Sequence, residues 1–94
     1  MNKYESIFIV NSNLGEDMIK DTIDKIKALV ENNAALDGID EWGNRRLAYE
    51  VKKQKEGFYV LINFTADPEF PKELERIYRI TDEIIKYLII KKEA

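Results

Sequence analysis

Two β-rich segments, one from about Leu36 to Val51 and one from Phe58 to Thr65, are separated only by the polar run Lys52-Lys53-Gln54-Lys55-Glu56-Gly57. A connection this short, ending in glycine, turns the chain back on itself, so the two segments pair antiparallel and project their lysines at the tip. Gly43 lies inside the first segment. An interior glycine weakens a strand unless the backbone needs it, so a bulge or bend is expected there.

The flanks of this hairpin supply the remaining elements. In Lys3 to Val10, Tyr4, Ser6, Phe8 and Val10 fall on one face of a strand and Glu5, Ile7 and Ile9 on the other. Both faces are largely apolar, as in a central strand. Asn11 to Gly15 is turn chemistry, after which Ile19, Ile23, Ile26 and Val30 recur at helical spacing, giving a helix of about five turns that stops near Asn32-Asn33. Asp67-Pro68-Glu69-Phe70-Pro71 opens a second helix with Leu74, Ile77 and Tyr78 as its buried stripe. Periodicity would let that helix run on through Leu88, but the β-branched run Ile84 to Ile90 reads better as a closing strand. The order βαββαβ is the split βαβ, or ferredoxin-like, arrangement of the α+β class: a four-stranded antiparallel sheet with both helices on one face and the first and third strands central. All of 1–94 is expected to be a single domain.

Composition excludes several chemistries. The chain has no cysteine and no histidine, which removes thiol chemistry, the usual general base and the commonest soft and borderline metal ligands. Much of enzymology is thereby disfavoured, and no cofactor or metal site is expected. Neither a membrane-length apolar run nor a cleavable leader pattern is present, so a cytoplasmic location is expected. The fold also hosts acylphosphatases, but Asn11-Ser12-Asn13-Leu14-Gly15 lacks the arginine such a phosphate cradle requires. A metabolite-binding regulatory domain that homodimerises through its sheet is the other reading the fold allows, and it leaves the hairpin cations without a purpose.

Charge is distributed unevenly. The net charge is -3, with 18 acidic and 15 basic side chains, yet Gly15 to Trp42 holds eight acids against three lysines, a local -5. Gly43 to Glu56 holds Arg45, Arg46, Lys52, Lys53 and Lys55 against Glu50 and Glu56, a local +3. Screening confines each field to roughly 8 to 10 Å, so one face can attract phosphate while another repels it. With Trp42 and Tyr49 interleaved, the block supplies charges for phosphates and flat rings for bases, the two parts of an RNA contact surface.

Each candidate residue has a plainer alternative. Arg45 and Arg46 point to opposite faces of a regular strand, and charges on an edge strand also prevent aggregation. Lys52, Lys53 and Lys55 are phosphate contacts or simply loop lysines. Tyr4 and Tyr49 stack on a base or sugar, or else on cross-strand neighbours. Trp42 is read as a packing or interface anchor, and Ile7 and Ile9 as apolar area for a partner. Arg79 and Lys86 flank the last turn and add phosphate contacts, although a cation at a helix end also accounts for Arg79. Glu16, Asp17, Asp21 and Asp24 form a solvated helix face, with no calcium-type loop.

Several blocks together resemble a known family. Met1-Asn2-Lys3-Tyr4-Glu5, Trp42-Gly43-Asn44-Arg45-Arg46-Leu47-Ala48-Tyr49, Lys53, Gly57-Phe58-Tyr59-Val60-Leu61 and Tyr78-Arg79-Ile80 with Asp82 look like the ribosomal protein six family of the bacterial small subunit. The resemblance spans essentially the whole chain. It implies a non-catalytic component of the ribosomal platform that binds the central domain of small-subunit rRNA as a heterodimer with small-subunit protein eighteen, with no DNA and no membrane involved. It also implies RNA contact around Lys3 as well as the basic block. Two positions depart from the family pattern: Glu50 stands where proline is usual, and Asn2 where arginine is usual.

Overall fold

Alternation along the first strand decides which side of the sheet the helices cover. Tyr4, Ser6, Phe8 and Val10 are all buried toward the helices, while Glu5 and Ile7 are half-exposed on the opposite, open face. In the computed structural model, which describes residues 1–92, the elements are β1 (Asn2–Asn11), a single 3-10 turn (Ser12–Leu14), α1 (Glu16–Asn33), β2 (Ala35–Val51), β3 (Gln54–Ala66), α2 (Phe70–Ile80) and β4 (Ile84–Lys91). Glu93 and Ala94, the end of the expected domain span, lie outside the described residues. The order βαββαβ and the sheet order β2-β3-β1-β4, antiparallel throughout, are those of the ferredoxin-like fold. The first and third strands are central, as expected.

The helices are placed by their apolar stripes. Ile19, Ile23, Ile26 and Val30 of α1 are buried, as are Leu74 and Tyr78 of α2, against Phe8, Val60, Ile62 and Phe64 of the sheet. Each large side chain removed from water in this way stabilises the fold by about 1.5–3 kcal/mol relative to exposure. Phe70, at the start of α2, meets Phe64 edge to face with centroids 5.6 Å apart. At the other end Tyr78 Oη and Ser6 Oγ share a hydrogen bond of 2.8 Å, which satisfies both hydroxyls inside the core. Helix α2 ends at Ile80, where Thr81 turns to extended backbone; the Thr81 hydroxyl donates to the Ile77 carbonyl, and Ile84 N–H donates to Thr81 O at 3.0 Å as the closing strand begins.

The hairpin differs in detail from its reading in sequence. Its turn is only Lys52-Lys53, since Val51 pairs with Gln54 and β3 starts there. Both lysines have positive φ, 49° and 64°, the left-handed pair that a two-residue turn of this hand requires. Gly43 does sit at an irregularity: the register shifts between Glu41 and Gly43, where φ is 86°. A larger irregularity follows. Between the Arg46–Glu56 and Val51–Gln54 pairs β2 advances five residues while β3 advances two.

Candidate nucleic-acid interface

That long bulge shapes the basic region. Leu47 leaves the ladder and is buried with Ile9 and Ile85 in a small cluster separate from the main core, on the open side of the sheet. Gly57 makes the cluster possible, because a Cβ there would overlap Ile9 Cγ2. The hairpin arm is thus anchored across the sheet by one buried leucine. Tyr49, 63% exposed, is held at its rim by Lys86, whose Nζ donates to the phenolic oxygen at 2.8 Å and lies 4.6 Å from the ring centroid.

Anchoring brings distant cations together. Lys52 from the turn, Arg79 from the last turn of α2 and Lys86 from β4 line one hollow of about 330 Å³, walled by Tyr78, Tyr87 and the start of β4. No carboxylate lines it. Lys53 and Lys55 line a second hollow with Arg46, on the other side of the hairpin beside Ser12 and Asn13, and one carboxylate, Glu56, lines it with them. Among the described residues Arg45, Arg46, Lys52, Lys53, Lys55 and Lys86 form no ion pair, whereas Arg76 is paired with Glu73 at 2.6 Å and Arg79 with Glu75 at 3.6 Å. The Glu73 carboxyl is held below its ordinary value by the hydrogen bond from Arg76, and Arg76 is raised in return by the same bond. The hairpin cations therefore remain available to an external anion.

Arg45 and Arg46 do point to opposite faces. Arg45 lies over Trp42, with its guanidinium carbon 5.3 Å from the ring centroid, and Trp42 in turn stacks on Tyr59 at 6.2 Å. Arg46 is on the other side. Trp42 is 36% exposed and its Nε1 donates to Asp40 at 3.0 Å, so one ring edge is fixed while the stack borders the open face. Ile7 and Ile9, with Leu88 and Tyr59, frame a shallow apolar depression on that face.

Two readings need correction. Tyr4 is 7% exposed and stacks on Phe64 at 5.4 Å, because it lies on the helix-facing side of β1; its ring belongs to the core and offers no face to a base. Ile9 still borders the open-face depression, but Leu47 and Ile85 leave it only 5% exposed, so Ile7 carries most of the pair's accessible area. Lys3 is exposed but opposite Thr65, whereas the hairpin meets the other end of β1, about 20 Å away at strand rise. RNA contact at Lys3 would thus be a site apart from the hairpin cations. Leu47, Leu88 and Ile90 are additions: the alternation of Lys86, Leu88 and Ile90 along β4 is the signal for the latter two, which are 56% and 44% exposed, while Leu47 carries no local signal.

Fold and surface together define a class, a small ferredoxin-like domain with an anchored cationic hairpin and an apolar open sheet. The family model described as "Ribosomal protein S6" matches residues 3–91. Small ribosomal subunit proteins bS6 from Clostridium perfringens and Clostridium botulinum are each 52% identical over 94 residues, which is 99% of this chain and 99% and 100% of theirs. The crystal structure of 30S ribosomal protein S6 from Thermotoga maritima superposes with a TM-score of 0.92 at 34% identity, covering 97% of this chain and 87% of that one. The C-terminal domain of MgtC from Mycobacterium tuberculosis shares the fold alone, with a TM-score of 0.57 at 12% identity. The chain belongs to the ribosomal protein S6 family, a structural protein of the small ribosomal subunit.

Proposed function

We propose that the chain docks on the central domain of small-subunit rRNA together with small-subunit ribosomal protein eighteen, and that this supports assembly of the ribosomal platform. The observation that carries this is the hollow lined by Lys52, Arg79 and Lys86, of which Lys52 and Lys86 form no ion pair among the described residues while Arg79 is shared with Glu75. Two unpaired lysines with Arg79 beside them suit a backbone phosphate, and Tyr49 next to them leaves most of its ring free for stacking on a base or ribose. Lys53, Lys55 and Arg46 extend the contact along the other side of the hairpin.

The stability of the turn points the same way. Left-handed backbone costs a non-glycine residue about 1–2 kcal/mol, and both turn positions are lysine. Asparagine and glycine would fill these positions with less strain, and lysine there places two charges at the tip at that cost. The partner protein covers the open sheet, where Ile7, Leu88, Ile90 and the Trp42 stack present apolar area. The partner also supplies cations that a chain of net charge -3 lacks. In this reading residues 1–94 act as one domain on the cytoplasmic ribosome. Membership of the family separates the chain from the metabolite-binding alternative, which rested on fold alone.

Binding of the heterodimer to an rRNA central-domain fragment, measured across a salt series, tests the proposal. Affinity should fall with a log-log slope of roughly 0.7 to 0.9 for each phosphate contacted. Tight, salt-insensitive binding by the isolated chain would refute it.

A further inference from the structure

On the helix side of the sheet, between α1 and the β2–β3 hairpin, lies a groove of about 650 Å³ whose character is opposite to that of the cationic hollow. Ile19, Ile23 and Phe58 form an apolar floor, and Glu16, Asp24, Glu41 and Glu56 stand around it. The one cation in its lining, Lys20, is held 3.7 Å from Asp24. Beside the groove β2 is the outermost strand of the sheet, so its outer backbone edge pairs with no other strand among the described residues.

We propose that this groove takes an extended, cationic segment of another polypeptide. An apolar side chain of the segment seats on Ile19, Ile23 and Phe58, and flanking lysine or arginine side chains reach the surrounding carboxylates. Charge selects this occupant. Nucleic acid is repelled by a rim of four carboxylates against one cation, and a second copy of the chain would bring the same acidic α1 and β2 surfaces against themselves. A small polyamine satisfies the rim but leaves uncovered the apolar floor, of which Phe58 keeps the largest exposed part. The groove adjoins the Arg46–Lys53–Lys55 hollow, with which it shares Ser12, Asn13 and Glu56, but its test contains no RNA and so fails or succeeds separately from the RNA reading.

The test follows the methyl signals of Ile19 and Ile23 and the ring signals of Phe58 in the full chain during titration with a capped hexapeptide of alternating lysine and leucine. Hexalysine, spermidine and an alternating glutamate–leucine hexapeptide serve as comparisons. The lysine–leucine peptide should shift these three residues saturably, and hexalysine and spermidine should bind roughly tenfold more weakly. The glutamate peptide should leave the signals unmoved. Combining Glu41→Gln with Glu56→Gln, both at exposed positions, should weaken the lysine–leucine peptide roughly fivefold without altering the fold. Equal binding of hexalysine, shifts scattered over the surface, an unchanged affinity in the double variant, or self-association of the chain through the groove would each overturn the proposal.

Discussion

Lys86 on β4 grips Tyr49 of the bulged β2 arm at two points, donating to its hydroxyl at 2.8 Å and standing 4.6 Å from its ring centroid. The contact joins an edge strand to a segment that has left its own ladder, and it fixes an exposed ring beside a cationic hollow. Lys86→Gln should therefore act on RNA binding in two ways. It removes one phosphate-facing charge, lowering the salt slope by about 0.7 to 0.9, and it frees Tyr49. Tyr49→Phe keeps the ring and every charge, so it should leave the slope unchanged and shift stability by less than about 0.5 kcal/mol. Filter binding across a salt series, with urea melts alongside, separates the two.

Replacing the turn lysines should uncouple stability from binding. Lys52→Asn with Lys53→Gly puts the favoured residues at two left-handed positions and should raise unfolding stability by about 1 kcal/mol or more. The same change removes two cations and should weaken RNA binding. A variant that is more stable and also binds RNA as tightly as the parent would place the phosphate contacts elsewhere.

Gly57 is expected to tolerate no side chain. A Cβ would overlap Ile9 Cγ2, so Gly57→Ala should cost about 1–3 kcal/mol by overpacking. The predicted damage is local to the Ile9–Leu47–Ile85 cluster that anchors the arm. Amide exchange should quicken along Leu47 to Val51 before it does so in the main core.

The fold was legible in the sequence because each element carried its own period: alternation in β1, helical spacing from Ile19 to Val30, and the β-branched run that ends the chain. Strand positions even foretold that Arg45 and Arg46 would diverge. What escaped was any feature set by a long-range contact. Tyr4 looked available for stacking because strand alternation gives two faces without saying which one the helices cover. Ile9 looked exposed because Leu47, which covers it, reaches it only through a bulge that no local pattern announces. The convergence of Lys52 with Arg79 and Lys86 depends on the same bulge. Lysine at both left-handed turn positions also ran against turn propensity, which made the turn look longer than it is.

Tyr78 gives the fold a dependence on alkaline pH. Burial pushes its phenol well above the usual tyrosine range, with the hydrogen bond to Ser6 pulling the other way. A group raised in this way keeps its full contribution below the ordinary value of about 10 and loses it as pH climbs through the folded value. Tyr78→Phe should flatten that alkaline loss while costing about 1 kcal/mol near neutrality, because Ser6 Oγ is left buried without its partner. Denaturant midpoints at neutral pH and above pH 10 check both signs.

The account stands most directly on what the hairpin tip touches in an assembled small subunit. With a photo-crosslinking residue at position 53 in the turn, and a control at position 24 on the acidic face of α1, illumination of purified subunits should join the tip to rRNA and the control to no RNA. A tip that crosslinks only to protein, or to nothing, while the control captures rRNA would contradict it.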